Sequence, residues 1–171
     1  LQDLEALFQR LKQYGLQVNE DKCEFGKPEL TFLGHRINKD GIMPLPEKVE
    51  AISKMPRPTT YRALRRFTGM VNFYHRFIPN AAHALAPLHA LHTGNHQKRK
   101  NALVKWNEDA EKAFVAAKQA LVNATRLHYP KPNAETCIAV DASDIAVGGV
   151  LQNKIDGEWR PIAFFIRKLT T

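Results

Sequence analysis

The chain has 171 residues, 44% apolar and 25% charged, with 25 Lys+Arg against 17 Asp+Glu for a formal charge of +8. That composition excludes global disorder and a fibrous fold, and it fits one domain or two small ones. Two cysteines, Cys23 and Cys137, cannot build a disulfide scaffold and suit a reducing, intracellular setting; no apolar run approaches the roughly 20 residues that a membrane span requires.

The chain opens at Leu1 without an initiator Met, so it is expected to be a piece of a longer protein. Leu1, Leu4, Leu7, Phe8 and Leu11 recur at three- and four-residue spacing, which predicts an amphipathic helix over 1–14 closed by Gly15. Leu30 to Asn38 reads as a strand, and Asp40-Gly41 supplies turn chemistry for a hairpin returning through Ile42 and Met43. Gly34 inside that strand marks a bulge or a close backbone approach. Pro44, Pro46, Pro56 and Pro58 bracket a short helix over 47–54 in a linker region. Thr59 or Thr60 caps a helix running to about Phe77 and ended by Pro79, and Asn80 to His92 forms a further helix or two short turns around Pro87. After a polar, basic loop over 93–105, Asn107 caps a second strong helix with Ala110, Phe114, Ala117 and Leu121 at helical spacing. Beyond Pro132 the pattern becomes three antiparallel strands: 137–140 leading into Asp141, 147–152, and 159–166 after an Asp156-Gly157 turn. The fold class is therefore α+β.

The charge is unevenly placed. Residues 51–107 contain no acidic residue and ten basic ones, Lys54, Arg57, Arg62, Arg65, Arg66, Arg76, Lys98, Arg99, Lys100 and Lys105, while the rest of the chain is slightly acidic. A chain that needed only solubility would intersperse the two signs, so a central positive field points to a polyanionic partner or to a solvated basic surface.

The helix after Thr60 divides that choice further. Leu64, Phe67, Val71 and Tyr74 make its apolar stripe, and the opposite stripe is Arg62, Arg65, Gly69, Asn72 and Arg76, flanked by Arg66 and Phe73. A glycine in mid-helix costs about 1 kcal/mol relative to Ala. A sugar–phosphate backbone pressed against the helix would use that gap, with arginines for phosphates and Phe73 for a sugar or base face. Alternatively, Gly69 admits a neighbouring helix in the core.

Asp141 ends an otherwise apolar strand, which would set it at the rim of a buried sheet where metal-binding carboxylates occur. A two-metal site needs several converging carboxylates, and Asp144 is the only near neighbour, so Asp141 is a candidate ligand or a strand-end residue. His92 and His96 have acceptable zinc-ligand spacing, but the accompanying Cys pair is missing and Thr93-Gly94-Asn95 breaks the helix that would align them. There is no nucleophile-elbow motif or phosphate-binding loop, and Gly148-Gly149 within a strand serves tight packing.

Phe32-Leu33-Gly34-His35-Arg36-Ile37, Gly41-Ile42, the run Ala63 to Pro79, Trp106-Asn107, Ala113-Phe114 and Val140-Asp141-Ala142-Ser143 with Gly148-Gly149-Val150-Leu151 together resemble the polymerase of gypsy-like LTR retrotransposons and retroviruses, in the family's order and spacing. The resemblance implies three parts. Residues 1–43 correspond to the end of the palm of a reverse transcriptase, with Leu33, Gly34 and His35 in a hairpin like the primer grip. Residues 44–103 correspond to the thumb and a basic loop, with Arg65, Gly69 and Phe73 at positions that track the minor groove of template–primer duplex. Residues 104–171 correspond to the front of an RNase H-like domain, with Asp141 as its first Mg²⁺-binding carboxylate. A non-catalytic connection domain shares the pattern around Trp159 to Ala163, whereas Asp141-Ala142-Ser143 follows the catalytic type.

The implied partners are an RNA–DNA hybrid or DNA duplex and the remaining parts of a Pol polyprotein, with no membrane. The polymerase's Asp-Asp pair and the later RNase H carboxylates would lie outside this chain, so the resemblance implies binding without turnover. A domesticated or degenerate remnant acting as a nucleic-acid-binding or interaction module is the alternative.

Overall fold

The computed structural model describes residues 1–91, 101–142 and 146–169, and its architecture is mixed helices with two antiparallel three-stranded sheets. The first helix, α1 (Gln2–Gln13), has Asp3 and Glu5 in its first turn and Arg10 and Lys12 in its last, a distribution the helix dipole favours. It ends at Gly15, whose φ of +70° is readily available to glycine. None of its residues is buried, although Phe8 meets the edge of Phe25 with ring centroids 6.3 Å apart.

The first sheet contains β1 (Glu29–Phe32), β2 (His35–Asn38) and β3 (Gly41–Pro44) in that order, with Phe32 opposite His35 and Asn38 opposite Gly41. The single strand expected over Leu30–Asn38 is thus a hairpin. Leu33 and Gly34 turn the chain with φ of 46° and 78°, the two left-handed residues that a tight hairpin requires. The second turn is where it was predicted, and the Asn38 side chain accepts from the Asp40 amide at 3.0 Å. On its other edge β3 pairs with a residue far along the chain: Ile42 and Leu127 exchange backbone hydrogen bonds of 2.8 and 3.0 Å.

Four helices form the core. Pro46 at the first position of α2 (Pro46–Ser53) is preorganised for a helix start. In α3 (Tyr61–Phe73) the Thr60 side chain caps the Ala63 amide, and in α5 (Glu108–Val122) Asn107 caps Ala110 in the same way. The helix expected to reach Phe77 breaks earlier: after Tyr74 a 3₁₀ turn over His75–Phe77 takes over, and Asn80, at φ 52°, redirects the chain into α4 (Ala81–Ala90). Pro87 lies inside α4 without dividing it into separate turns.

Leu64, Phe67 and Val71 of α3 meet Phe77, Ile78, Leu88, Phe114 and Leu121 in one apolar cluster. Each such fully buried side chain contributes about 1.5–3 kcal/mol relative to exposure. Because α5 packs against α2 and α4, this core runs across residue 104. The segment before α3 is tied to α5 by the Trp106 indole N–H donating to the Pro58 carbonyl at 2.9 Å and by the Arg57–Glu111 ion pair.

The second sheet is a meander of β4 (Thr136–Ala142), β5 (Ala146–Ile155) and β6 (Glu158–Lys168). Its register slips between Leu151, opposite Ala163, and Gln152, opposite Pro161. That bulge falls where proline has no N–H to give to the ladder. Phe164 and Ile166 turn one face of the sheet toward the helical core, and Phe165, 59% exposed, lies on the other. The expectation that Asp141 ends a strand at the rim of a buried sheet is overturned. The strand runs one residue further, through Ala142, and Ile138 and Val140 are each 67% exposed, because the pairing of Val140 with Gly149 and of Gly149 with Phe165 puts them on the sheet face turned away from the core.

Candidate nucleic-acid interface

The period of α3 separates two surfaces. Tyr61, Leu64, Phe67, Thr68 and Val71 are buried; Arg62, Arg65, Arg66, Gly69, Asn72 and Phe73 are exposed, as is Arg76 in the following turn. Phe73 shows half its surface to solvent. Among the described residues nothing comes within 4 Å of a Cβ built on Gly69, so no neighbouring helix explains this glycine.

Of the ten described arginines four are ion-paired, and Arg10 and Arg167 lack a carboxylate within 4 Å just as the four of this face do. Arg36, Arg57, Arg126 and Arg160 each lie within 4 Å of a carboxylate. Arg62, Arg65, Arg66 and Arg76 have no such partner among the described residues, and Arg76 lies over the Phe77 ring at 5.5 Å. Four unneutralised guanidiniums around an uncovered glycine form a shallow positive surface suited to phosphates.

The β1–β2 hairpin stands beside the end of this face. Phe32 and Leu33 at its tip are 56% and 72% exposed. Gly34 and His35 turn inward: the His35 ring packs at 5.3 Å from both Phe73 and Phe77 and 5.7 Å from Tyr74. Of the hairpin residues singled out in the sequence, Leu33 faces solvent and His35 is part of the junction with α3.

Asp141 lies elsewhere, over Gly148 on the neighbouring strand, and lines a cavity of about 300 Å³ with Asn80, His83 and Ile166. A second cavity of about 530 Å³ carries Asn72, His75, His89 and Leu85, and the two share Ala82, Ala146 and Ile166. Joined at these residues, they form a trough between Asn72 at the end of α3 and Asp141, with no arginine in its lining. Sequence reasoning missed Asn80, His83 and the trough, because each depends on how α4 meets the second sheet. Asn80 alone left a local signal, as an Asn beside Pro79 at a chain reversal.

A divalent metal needs more donors than this. Among the described residues no group of three or more His, Cys, Asp or Glu is placed to hold an ion, and Asp141 is the sole carboxylate in its cavity. The donor set does not fit a Mg²⁺ site by itself, and no hydrolytic step follows from it. Asp144 and the His92–His96 pair lie outside the described residues.

Residues 106–171 match the RNase H-like domain found in reverse transcriptase. Homologues are the Pol polyproteins of transposons: the retrovirus-related Pol polyprotein of transposon 412 from Drosophila melanogaster is 35% identical over 170 residues, 99% of this chain and 13% of that protein. The transposon Tf2-3 polyprotein of Schizosaccharomyces pombe is 30% identical over 165 residues, 96% of this chain and 12% of that one. The chain therefore spans only a small part of these relatives. Among solved structures, the foamy viral protease–reverse transcriptase with RNA/DNA hybrid matches at a TM-score of 0.73 and 25% identity, over 99% of this chain and 22% of that one. A second foamy viral protease–reverse transcriptase structure, with double-stranded DNA, matches at 0.72 and 26%, over 98% and 28%.

Proposed function

We propose that this chain is the part of a gypsy-like retroelement RNA-directed DNA polymerase with ribonuclease H that holds the template–primer duplex, as RNA–DNA hybrid or DNA duplex. The observation that carries this reading is the solvent face of α3 and the turn after it, where Arg62, Arg65, Arg66 and Arg76, without carboxylate partners among the described residues, flank a glycine with open space above it. A face built for packing would cover the glycine, and one built for solubility would pair or intersperse its charges. The foamy viral structures, which hold double-stranded DNA and RNA/DNA hybrid, support the same partner class.

In this reading residues 1–43 are the end of a palm, 44–103 the thumb with its basic loop, and 104–171 the start of the RNase H-like domain. Arg62, Arg65, Asn72 and Arg76 meet phosphates; Gly69 and Phe73 meet the groove; Leu33 approaches the primer strand from the hairpin, with Gly34 giving it the turn and His35 holding it from behind. Asp141 contributes one carboxylate to a Mg²⁺ site whose other ligands come from the rest of a Pol polyprotein. The chain alone binds and does not turn over.

The test is anisotropy titration of a labelled RNA–DNA hybrid at several salt concentrations. Affinity is expected to fall steeply with salt, and an Arg65→Ala/Arg76→Ala variant should flatten the log–log slope by about 1.8, about 0.9 per lost phosphate contact. Salt-independent affinity, or no change in the double variant, would overturn the reading. Mg²⁺-dependent RNase H activity or primer extension by the chain alone would overturn its assignment as a binding part.

A further inference from the structure

The hairpin and the end of the arginine face of α3, 40 residues apart in sequence, meet through the packing of His35 on Phe73 and through one hydrogen bond from the Tyr74 hydroxyl. Tyr74 immediately follows α3 and is 4% exposed, and its Oη–H donates to the Gly34 carbonyl at 2.9 Å. That carbonyl also accepts from the Leu45 amide at 3.2 Å, so both of its lone pairs are engaged. Gly34 is pressed against the same ring system: a Cβ there would lie 3.2 Å from the Tyr74 hydroxyl and 3.3 Å from the Phe73 ring. His35, next in the chain, is wedged among Phe73, Tyr74 and Phe77, with its Nε2 buried and without a hydrogen-bond partner among the described residues. Ring packing, not polar contact at Nε2, sets its place.

A phenylalanine at position 74 would fill the same space. Burying a hydroxyl is unfavourable unless it is bonded, so its presence points to the bond it makes. That bond ends on the backbone of the turn that presents Phe32 and Leu33, while the neighbouring Phe73 looks out onto the face carrying Gly69 and Arg76.

We propose that Tyr74 is a positioning residue: through Gly34 it fixes the hairpin tip at a set offset from the arginine face of α3, so that the two engage one duplex in a single register. This rests on the duplex-binding reading above. Without the link, α3 keeps its phosphate contacts while the tip swings away from the strand it should meet.

Hydroxyl-radical footprinting and salt-dependent titration of Tyr74→Phe on an RNA–DNA hybrid separate the possibilities. The variant should keep the wild-type salt slope, lose about three- to tenfold in affinity, the range one net hydrogen bond supplies, and lose protection at the end of the footprint nearest the hairpin. A merely structural role would instead lower the melting temperature and the salt slope together, and would overturn the proposal. Gly34→Ala, which pushes a methyl against the same hydroxyl and strains a turn residue held at φ 78°, disturbs the link from the hairpin side and should lose protection at the same end. Full-length footprints in both variants overturn the proposal and leave the duplex reading intact; no hybrid binding by the wild type overturns both.

Discussion

A Cβ on Gly41 would overlap the carbonyl oxygen of Leu127, because Ile42 and Leu127 bring the two backbones together at the edge of β3. The φ of +141° at Gly41 is also one that L side chains rarely adopt. Gly41→Ala must therefore strain the residue and push 127 away, breaking the bridge that joins the first sheet to the segment leaving α5. The expected loss is about 2–4 kcal/mol, within the range of backbone-incompatible substitutions. Urea unfolding followed by circular dichroism would measure it, and a midpoint unchanged from wild type would show that the bridge yields freely.

Gly69 presents the opposite case. With nothing within 4 Å of its missing side chain, Gly69→Ala should stabilise the chain by about 0.5–1 kcal/mol through helix propensity alone. The same methyl would stand on the surface where a duplex backbone approaches, so hybrid affinity should fall. A variant that is both more stable and at least as tight a binder would remove the functional reason for the glycine.

Some of this was legible in the sequence, and the reasons divide by range. The two faces of α3 follow from a 3.6-residue period carried by Leu64, Phe67 and Val71, which local spacing records fully. The Asn107 and Thr60 caps are equally local. The Leu33-Gly34 turn was hidden because leucine at φ 46° is not a turn former; the surrounding aromatic junction holds it there, and that is a tertiary fact. Asp141's exposure was misjudged for a similar reason. Ile138 and Val140 look like core residues, but the strand register sets them on the sheet face shared with exposed Phe165, away from the helical core. Tyr74 counted only as part of an apolar stripe, since its hydroxyl finds its partner 40 residues away.

Arg57 and Arg65 should separate stability from binding. Arg57 pairs with Glu111 and lies 5.6 Å over the Trp106 ring, while Arg65 has no carboxylate partner among the described residues. Arg57→Ala is expected to lower stability by about 1 kcal/mol, since both partners are half exposed and the pair is correspondingly weak. Its hybrid affinity should stay within about twofold, a phosphate contact being absent. Arg65→Ala should do the reverse, leaving the unfolding midpoint in place and weakening binding. Thermal melts paired with anisotropy titrations read both quantities, and a matched loss of both in either variant would contradict the division.

His128 gives the fold a pH dependence whose sign can be worked out. Its backbone amide donates to the Pro161 carbonyl at 2.8 Å, placing the ring between the β2–β3 turn and β6. Burial, then the Arg160 and Arg126 charges, hold its pKa below the ordinary 6.5, against the opposing charge and backbone hydrogen bond of Asp40. The unfolded chain therefore takes up this proton at a higher pH than the folded one. Stability is complete above about 6.5 and declines as the pH falls below it, until the folded ring protonates in turn. Urea midpoints between pH 7.5 and 5 should drop more steeply for wild type than for His128→Gln, which cannot titrate. An NMR titration of the ring should place its midpoint below 6.5; a midpoint at or above that value would mean that the Asp40 interactions outweigh burial and the two arginines at the junction of the sheets.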